Sequence, residues 1–197
     1  MTKLNAAFEQ FDAYNKKDPN TFTWENASYP QEYFLAIELY NWVNKLDPNA
    51  SEELLLASRS QHIGRWEIPR NTYPEGREAY LKWRKDLALY HAEKTAAIME
   101  NVGYDPEQIA RARQILLKQK IKVDHDVQTM ENALCLVFLQ FQYEDFHPKY
   151  EAEKVINILK KSLLKMDGHG HQFALKLPYT GQGLHYIQEA LKLISSK

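Results

Sequence analysis

The chain has 197 residues, 44% hydrophobic and 26% charged, proportions that suit a folded protein and exclude a disordered one. Lys plus Arg number 25 against 26 Asp plus Glu, so no global field draws the protein onto nucleic acid or an anionic membrane, and any anion site must be local. The single Cys135 excludes an internal disulfide and a multi-cysteine zinc site, and within "MENALCLVFL" it reads as a small buried apolar residue.

Apolar positions recur at helical spacing almost throughout, and no segment alternates with period two for long enough to make a convincing strand. The expectation is an all-α protein forming one domain over residues 1–197. A first helix is predicted over 2–16, with Leu4, Phe8, Phe11 and Tyr14 on one side. The following "KKDPNTFTWENASYP" reads as a long loop, packed down by Phe22, Trp24 and Tyr29.

"QEYFLAIELYNWVNKL" is the second helix, closed by Asp47-Pro48 because a proline ring forbids the preceding turn from continuing. Ser51, followed by Glu52 and Glu53, opens the third, with carboxylates beside its positive end. A long helix is predicted from about Arg77 to Gly103, and Asp105-Pro106-Glu107 starts another that reaches about Lys118. "KIKVDHD" is a connector whose acidic end caps the helix beginning near Val127, the most apolar in the chain and its expected centre. Two amphipathic helices, "YEAEKVINILKKSLLKM" and "GLHYIQEALKLISS", complete the C-terminal part over 149–195. "DGHGHQFALKLPYTG" between them reads as a flexible link whose His169 and His171 lack fixed further ligands for a metal.

No run of eighteen apolar residues occurs and the N-terminus lacks the apolar core of a signal peptide, so the expectation is a cytoplasmic protein without a membrane partner.

Three groups of residues could carry chemistry. His62 follows the apolar run Leu54, Leu55, Leu56 and Ala57 where the third helix ends; it is either a hydrogen-bonded core or capping residue or a ligand. His91 lies in mid-helix with Arg84 seven residues earlier on nearly the same face, and Glu131 lies early in the most apolar helix. Glu131 could equally face solvent or pair with a neighbouring helix. Arg65, Arg70, Arg77 and Arg84 are interleaved with Trp66, Tyr73, Tyr80 and Trp83. Guanidinium forks bind phosphate or carboxylate at two points and rings offer stacking faces, so Arg65, Trp66, Arg70 and Arg84 are candidate binders of a small phosphorylated or anionic molecule. The alternative is a packed loop in which the arginines pair with Glu67, Glu75 and Asp86. No phosphate-cradling glycine loop, Gly-x-Ser-x-Gly elbow or His-Glu-x-x-His pair is present, and no organic cofactor is indicated.

Nearly the whole chain resembles an uncharacterised domain-of-unknown-function family whose signature is Gln-His-x-x-Arg-Trp-x-Ile-Pro-Arg, here Gln61 to Arg70. "YLKWRKDL", "VQTMENALCLVFL" and "ILKKSLLKM" extend the resemblance in order along the chain. More distantly, "LLLASRSQHIGRW" and "YHAEKTAAIMENVGYDPEQIARARQILL" resemble the HD superfamily of metal-dependent phosphohydrolases. These are all-α proteins in which a His, a His-Asp pair and a later Asp hold a divalent ion. Gln61 stands where that superfamily has the His of its pair, His62 where it has the Asp, and Glu32 near the first His. At the last Asp position stands Leu134, with Glu131 and Asn132 one turn earlier.

The resemblance implies an orthogonal helical bundle with an HD-like core over 31–145. It also implies a ligand set of Glu32, His62, His91 and Glu131, suited to Mn, Fe or Zn. His62, His91 and Glu131 are the implied catalytic groups of a hydrolase of a phosphate ester or nucleotide. The alternative is a non-catalytic protein that binds a small anion or nucleotide in the same pocket.

Overall fold

The computed structural model describes residues 2–195; Met1, Ser196 and Lys197 lie outside the described residues. Helix α1 (Lys3–Asn15) is capped by Thr2, whose hydroxyl accepts from the Asn5 N–H. Two short strands, β1 (Thr21–Trp24) and β2 (Ala27–Pro30), then form an antiparallel hairpin with Trp24 opposite Ala27. The segment expected to be loop therefore contains a hairpin. Its turn residues Glu25 and Asn26 have φ of 48° and 66°, the left-handed pair that lets a two-residue turn match strand twist. Packing of this segment onto the core is as expected: the Phe22 ring stacks on Phe34 at 4.9 Å and Trp24 meets Phe141 edge-on at 4.9 Å.

Helix α2 (Gln31–Leu46) begins after Pro30, and its Glu32 N–H donates to the buried Asp18 carboxylate at 2.9 Å, which supplies the cap that proline cannot. Ser51 caps α3 (Glu52–Ser60), Asp105 caps α5 (Pro106–Leu116) with proline at the first position, and Asp124 caps α6 (His125–Phe141). Between α3 and α5 lie two 3-10 turns, Arg65–Glu67 and Arg70–Thr72, and the 25-residue α4 (Arg77–Asn101). After α6 come α7 (Tyr143–Phe146), α8 (Ala152–Leu163), α9 (Gly168–Ala174) and α10 (Gly181–Ser195).

The segment beginning "DGHGH" is thus a short helix, capped by Asp167. His169 and His171 turn their Nε2 atoms toward the carbonyls of Leu46 and Leu163, at 3.2 and 2.8 Å.

Helix α6 lies at the centre, packed by α2, α3, α5 and α9; Met130, Ala133 and Leu136 have no exposed surface. Each fully buried aliphatic side chain contributes about 1.5–3 kcal/mol, which is why the apolar pattern alone selects this helix for the interior. A smaller cluster joins Ala7 and Phe11 of α1 to Leu56, Ile63, Met99 and Ala112. Helices α8 and α10 pair with each other and cover the far side through Val155, Leu159, Leu163, Ile187 and Ala190. The buried Tyr143 hydroxyl donates to the Gly183 carbonyl at 2.9 Å and ties this pair to α7. Among the described residues no helix is long and apolar enough to cross a membrane.

Candidate functional site

The C-terminal end of α3 decides where the candidate site forms. Ser60 bonds back to the Leu56 carbonyl, the helix ends at Gln61, and Gly64 takes φ 69°, a left-handed conformation that reverses the chain. A side-chain carbon at Gly64 would lie 3.1 Å from Tyr90 Cε1 and 3.2 Å from Tyr14 Cε1, so the reversal also needs the absence of bulk. It aims the Ile63 carbonyl at α4, where it lies 2.7 Å from His91 Nδ1. A carbonyl can only accept, so Nδ1 carries the proton and Nε2 keeps a lone pair. That Nε2 atom is buried without a partner.

Helices α2, α4 and α6, with the segments after α3, α5 and α8, surround a cleft of about 480 Å³. Glu32, His62, His91 and Glu131 all line it, as do Arg65 and Arg84. His62 Nδ1 lies 3.7 Å from Glu32 Oε2, and the His62 and His91 rings are 5.8 Å apart. Arg65 Nε lies 3.8 Å from the other Glu32 oxygen.

Burial pushes the Glu32 carboxyl up to about 7, against the pull of the Arg65 guanidinium. Burial likewise lowers His91 to about 4, and it lowers His62 well below its ordinary value, helped by Arg65, His91, Lys118 and Arg84. Both imidazoles are therefore neutral at pH 7 and Glu32 exchanges its proton there. Glu32 Oε2, Gln61 Oε1 and His91 Nε2 are buried acceptors without partners, on residues only 3–4% exposed.

Glu131 is held differently. Lys118 Nζ lies 2.7 Å from one of its oxygens and Lys165 Nζ lies 3.4 Å from the other. Burial pushes this carboxyl up, but the two ammonium groups outweigh it and keep the pKa below its ordinary value.

Trp66 and Arg70 do not line the cleft. The Trp66 ring packs 5.8 Å from Tyr14, and Arg70 donates to the carbonyls of Tyr73 and Pro74, both at 2.9 Å, closing its own loop. Glu67 accepts from the hydroxyls of Tyr14 and Tyr90, and Asp86 accepts from Tyr73 and Lys82 at 2.9 and 2.6 Å. These carboxylates hold the Arg-Trp loop against α1 and α4 and leave Arg65 and Arg84 to the cleft. The Arg65 guanidinium lies 5.6 Å over Trp83, and Arg84 lies 6.0 Å over Tyr80.

Sequence reading missed Lys118 and Lys165. Lys118 stands at the expected end of the helix begun at Pro106 and Lys165 within an expected amphipathic helix, and no local signal joins either to Glu131. Cys135 also lines the cleft, buried, with its thiol pushed up to about 12 by burial.

A divalent ion takes N and O donors at about 2.0–2.2 Å, so its ligand atoms lie within roughly 4.4 Å of one another. Among the described residues the one group of three His, Cys, Asp or Glu with ligand atoms that close, within 4.8 Å, is Asp47, His125 and Asp126, outside the cleft. Asp126 in that group is already bound by Arg111 and Ser51, at 2.7 and 2.8 Å. In the cleft, Glu32, His62 and His91 offer donor atoms of suitable chemistry, two of them the orphans described above, but these atoms do not lie close enough together to share one ion. Glu131 faces its lysines instead.

Fold and cleft together define a class: an all-α protein whose helices enclose neutral imidazoles and a protonatable carboxylate beneath a cationic wall. The family model described as a domain of unknown function, DUF4202, matches residues 5–187. The chain belongs to that family. Comparison with the curated proteins and with solved structures gave no match.

Proposed function

We propose that the cleft is the active site of a hydrolase acting on a small phosphate ester or nucleotide. One observation carries this reading: three unpartnered buried acceptors, on Glu32, Gln61 and His91, line the same cleft as Arg65, Arg84, Lys118 and Lys165. A buried acceptor without a donor costs about 1–3 kcal/mol, a cost that a working site recovers when its ligand binds. A phosphate ester supplies the anion that the cations need, and the water that attacks it supplies O–H donors for the acceptors.

Glu32, with a pKa of about 7, suits the role of general base. The water oxygen forms a bond to phosphorus, its proton passes to Glu32, and the bond from phosphorus to the leaving oxygen breaks, the alkoxide taking a proton from solvent to leave as the alcohol. His91 Nε2 and Gln61 Oε1 orient the water, while Arg65 and Arg84 stabilise the charge that grows on the phosphoryl oxygens. A divalent Mn, Fe or Zn ion, the group the HD resemblance implies, would be held by Glu32, His62 and His91 only if these side chains drew together, and would then polarise the phosphoryl group and make the water more acidic.

The Glu131 ion pairs favour a second reading, a non-catalytic protein that binds the same class of anion, because two lysines held by one carboxylate recognise an anion without any reacting group. Elemental analysis of protein purified without chelator, followed by a phosphoester and nucleotide panel with and without added Mn, separates the two. Turnover that falls about 100-fold or more in Glu32→Gln supports the hydrolase. Tight anion binding that persists in chelator with no turnover supports the binding protein, and neither turnover nor binding sinks both.

A further inference from the structure

The cleft is lined by two groups of cations from different parts of the chain, and the catalytic step proposed above uses one of them. Arg65 and Arg84 come from the Arg-Trp loop and α4; Lys118 and Lys165 come from the ends of α5 and α8, and Glu131 of α6 joins them. Glu131 is 2% exposed, so it is a built-in charge rather than a surface one. Lys118 has φ 56°, at a helix end where glycine is the usual residue. Its N–H bonds the Ile115 carbonyl and the Gln119 N–H bonds the Gln114 carbonyl, so the left-handed turn is fixed by the end of α5.

An ammonium has three donors. Glu131 occupies one face of each lysine, and their side chains are 31% and 46% exposed, so donors remain for the cleft. Four cations against Glu131, kept ionised by its lysines, and Glu32, which exchanges its proton near pH 7, leave a surplus of about two to three positive charges in a space of about 480 Å³. A single phosphate monoester carries about −1.5 to −2 at pH 7 and leaves part of that surplus unmatched while Glu32 holds its proton.

We infer that Lys118 and Lys165, positioned by Glu131, form a second anion subsite, so that the ligand of this cleft carries two phosphate groups, as a diphosphate or bisphosphate ester. This rests on the reading of the cleft as a phosphate site, and it is independent of whether the ligand is hydrolysed. Lys118 and Lys165 are specificity-determining residues in this arrangement, and Glu131 is a positioning residue.

The test is calorimetric titration of the full chain in chelator with orthophosphate, pyrophosphate and ribose 1,5-bisphosphate, at matched ionic strength. The expected result is that at least one two-phosphate probe binds about tenfold or more tightly than orthophosphate. Lys165→Gln should remove most of that advantage, weakening binding of the two-phosphate probe about tenfold more than binding of orthophosphate. A Lys118→Gln, Glu131→Gln, Lys165→Gln triple variant, in which no buried charge is left uncompensated, should show no preference at all. Equal affinity for the three probes, no binding of any, or loss of orthophosphate and two-phosphate affinity to the same degree in Lys165→Gln overturns the inference. If the preference holds but no substrate is turned over with any metal, the hydrolase reading fails and this one stands.

Discussion

Glu32→Gln should make the protein more stable at alkaline pH while removing the proposed hydrolase activity. Glu32 is 3% exposed, and burial raises its carboxyl from 4.5 to about 7. Between those values the native state holds a proton that the unfolded chain has released. Stability contributed by this group is therefore greatest below pH 4.5, falls as pH rises through the window, and is level above about 7. The size follows from the shift: each pKa unit corresponds to about 1.4 kcal/mol, so the ionised carboxylate costs the fold about 3 kcal/mol at alkaline pH. Glutamine has the same length and no charge, so the variant lacks the slope. Urea denaturation of both proteins in chelator, from about pH 4 to about pH 8, measures it directly. The stabilities should be close at the acid end and differ by about 3 kcal/mol in favour of the variant at the alkaline end. Parallel curves would show that Glu32 is not held in the charge-hostile setting described above, and the case for it as a base near neutrality would go with it.

Three further outcomes are expected. Arg84→Gln should weaken binding of a phosphate ester about tenfold, read as Kd or KM, with Tm unchanged, because Arg84 is exposed and its guanidinium rests over Tyr80. Gly64→Ala should lower Tm by about 2–8 °C in a thermal melt, since the left-handed φ costs an L-residue about 1–2 kcal/mol and the tyrosines at 3.1 and 3.2 Å must yield. Asp124 is held at about 2 by Arg111, so its contribution is present above 3.8 and lost as pH falls from there to about 2. Asp124→Asn, which keeps the helix cap, should cost up to about 2 kcal/mol at pH 7 by urea denaturation, and the gap should close over that acid window.

The helices were legible because their signals are local. Ser51, Asp105 and Asp124 each cap an N–H three residues on, and all three starts appear where the sequence puts them. The hairpin was not legible: four residues a side is too short for alternation to register, and Glu25-Asn26 is not one of the glycine turns that announce a hairpin. Arg65, Trp66 and Arg70 stand together in one motif, yet successive residues of a 3-10 turn project about a third of a revolution apart, so Arg65 reaches the cleft while Trp66 packs on Tyr14.

The sequence by itself determined the all-α class, the helix boundaries near their caps, α6 as the centre, and the stretch Gln61 to Arg70 as the one to watch. Periodicity and capping act over three or four residues, so one chain is enough to read them. Only the tertiary structure decided what Glu131 touches, with lysines 13 and 34 positions away closing on its two oxygens. It also left His91 Nε2, Gln61 Oε1 and Glu32 Oε2 without partners in one cleft. Burial and charge pairing depend on which distant segments meet, and no spacing along the chain encodes that.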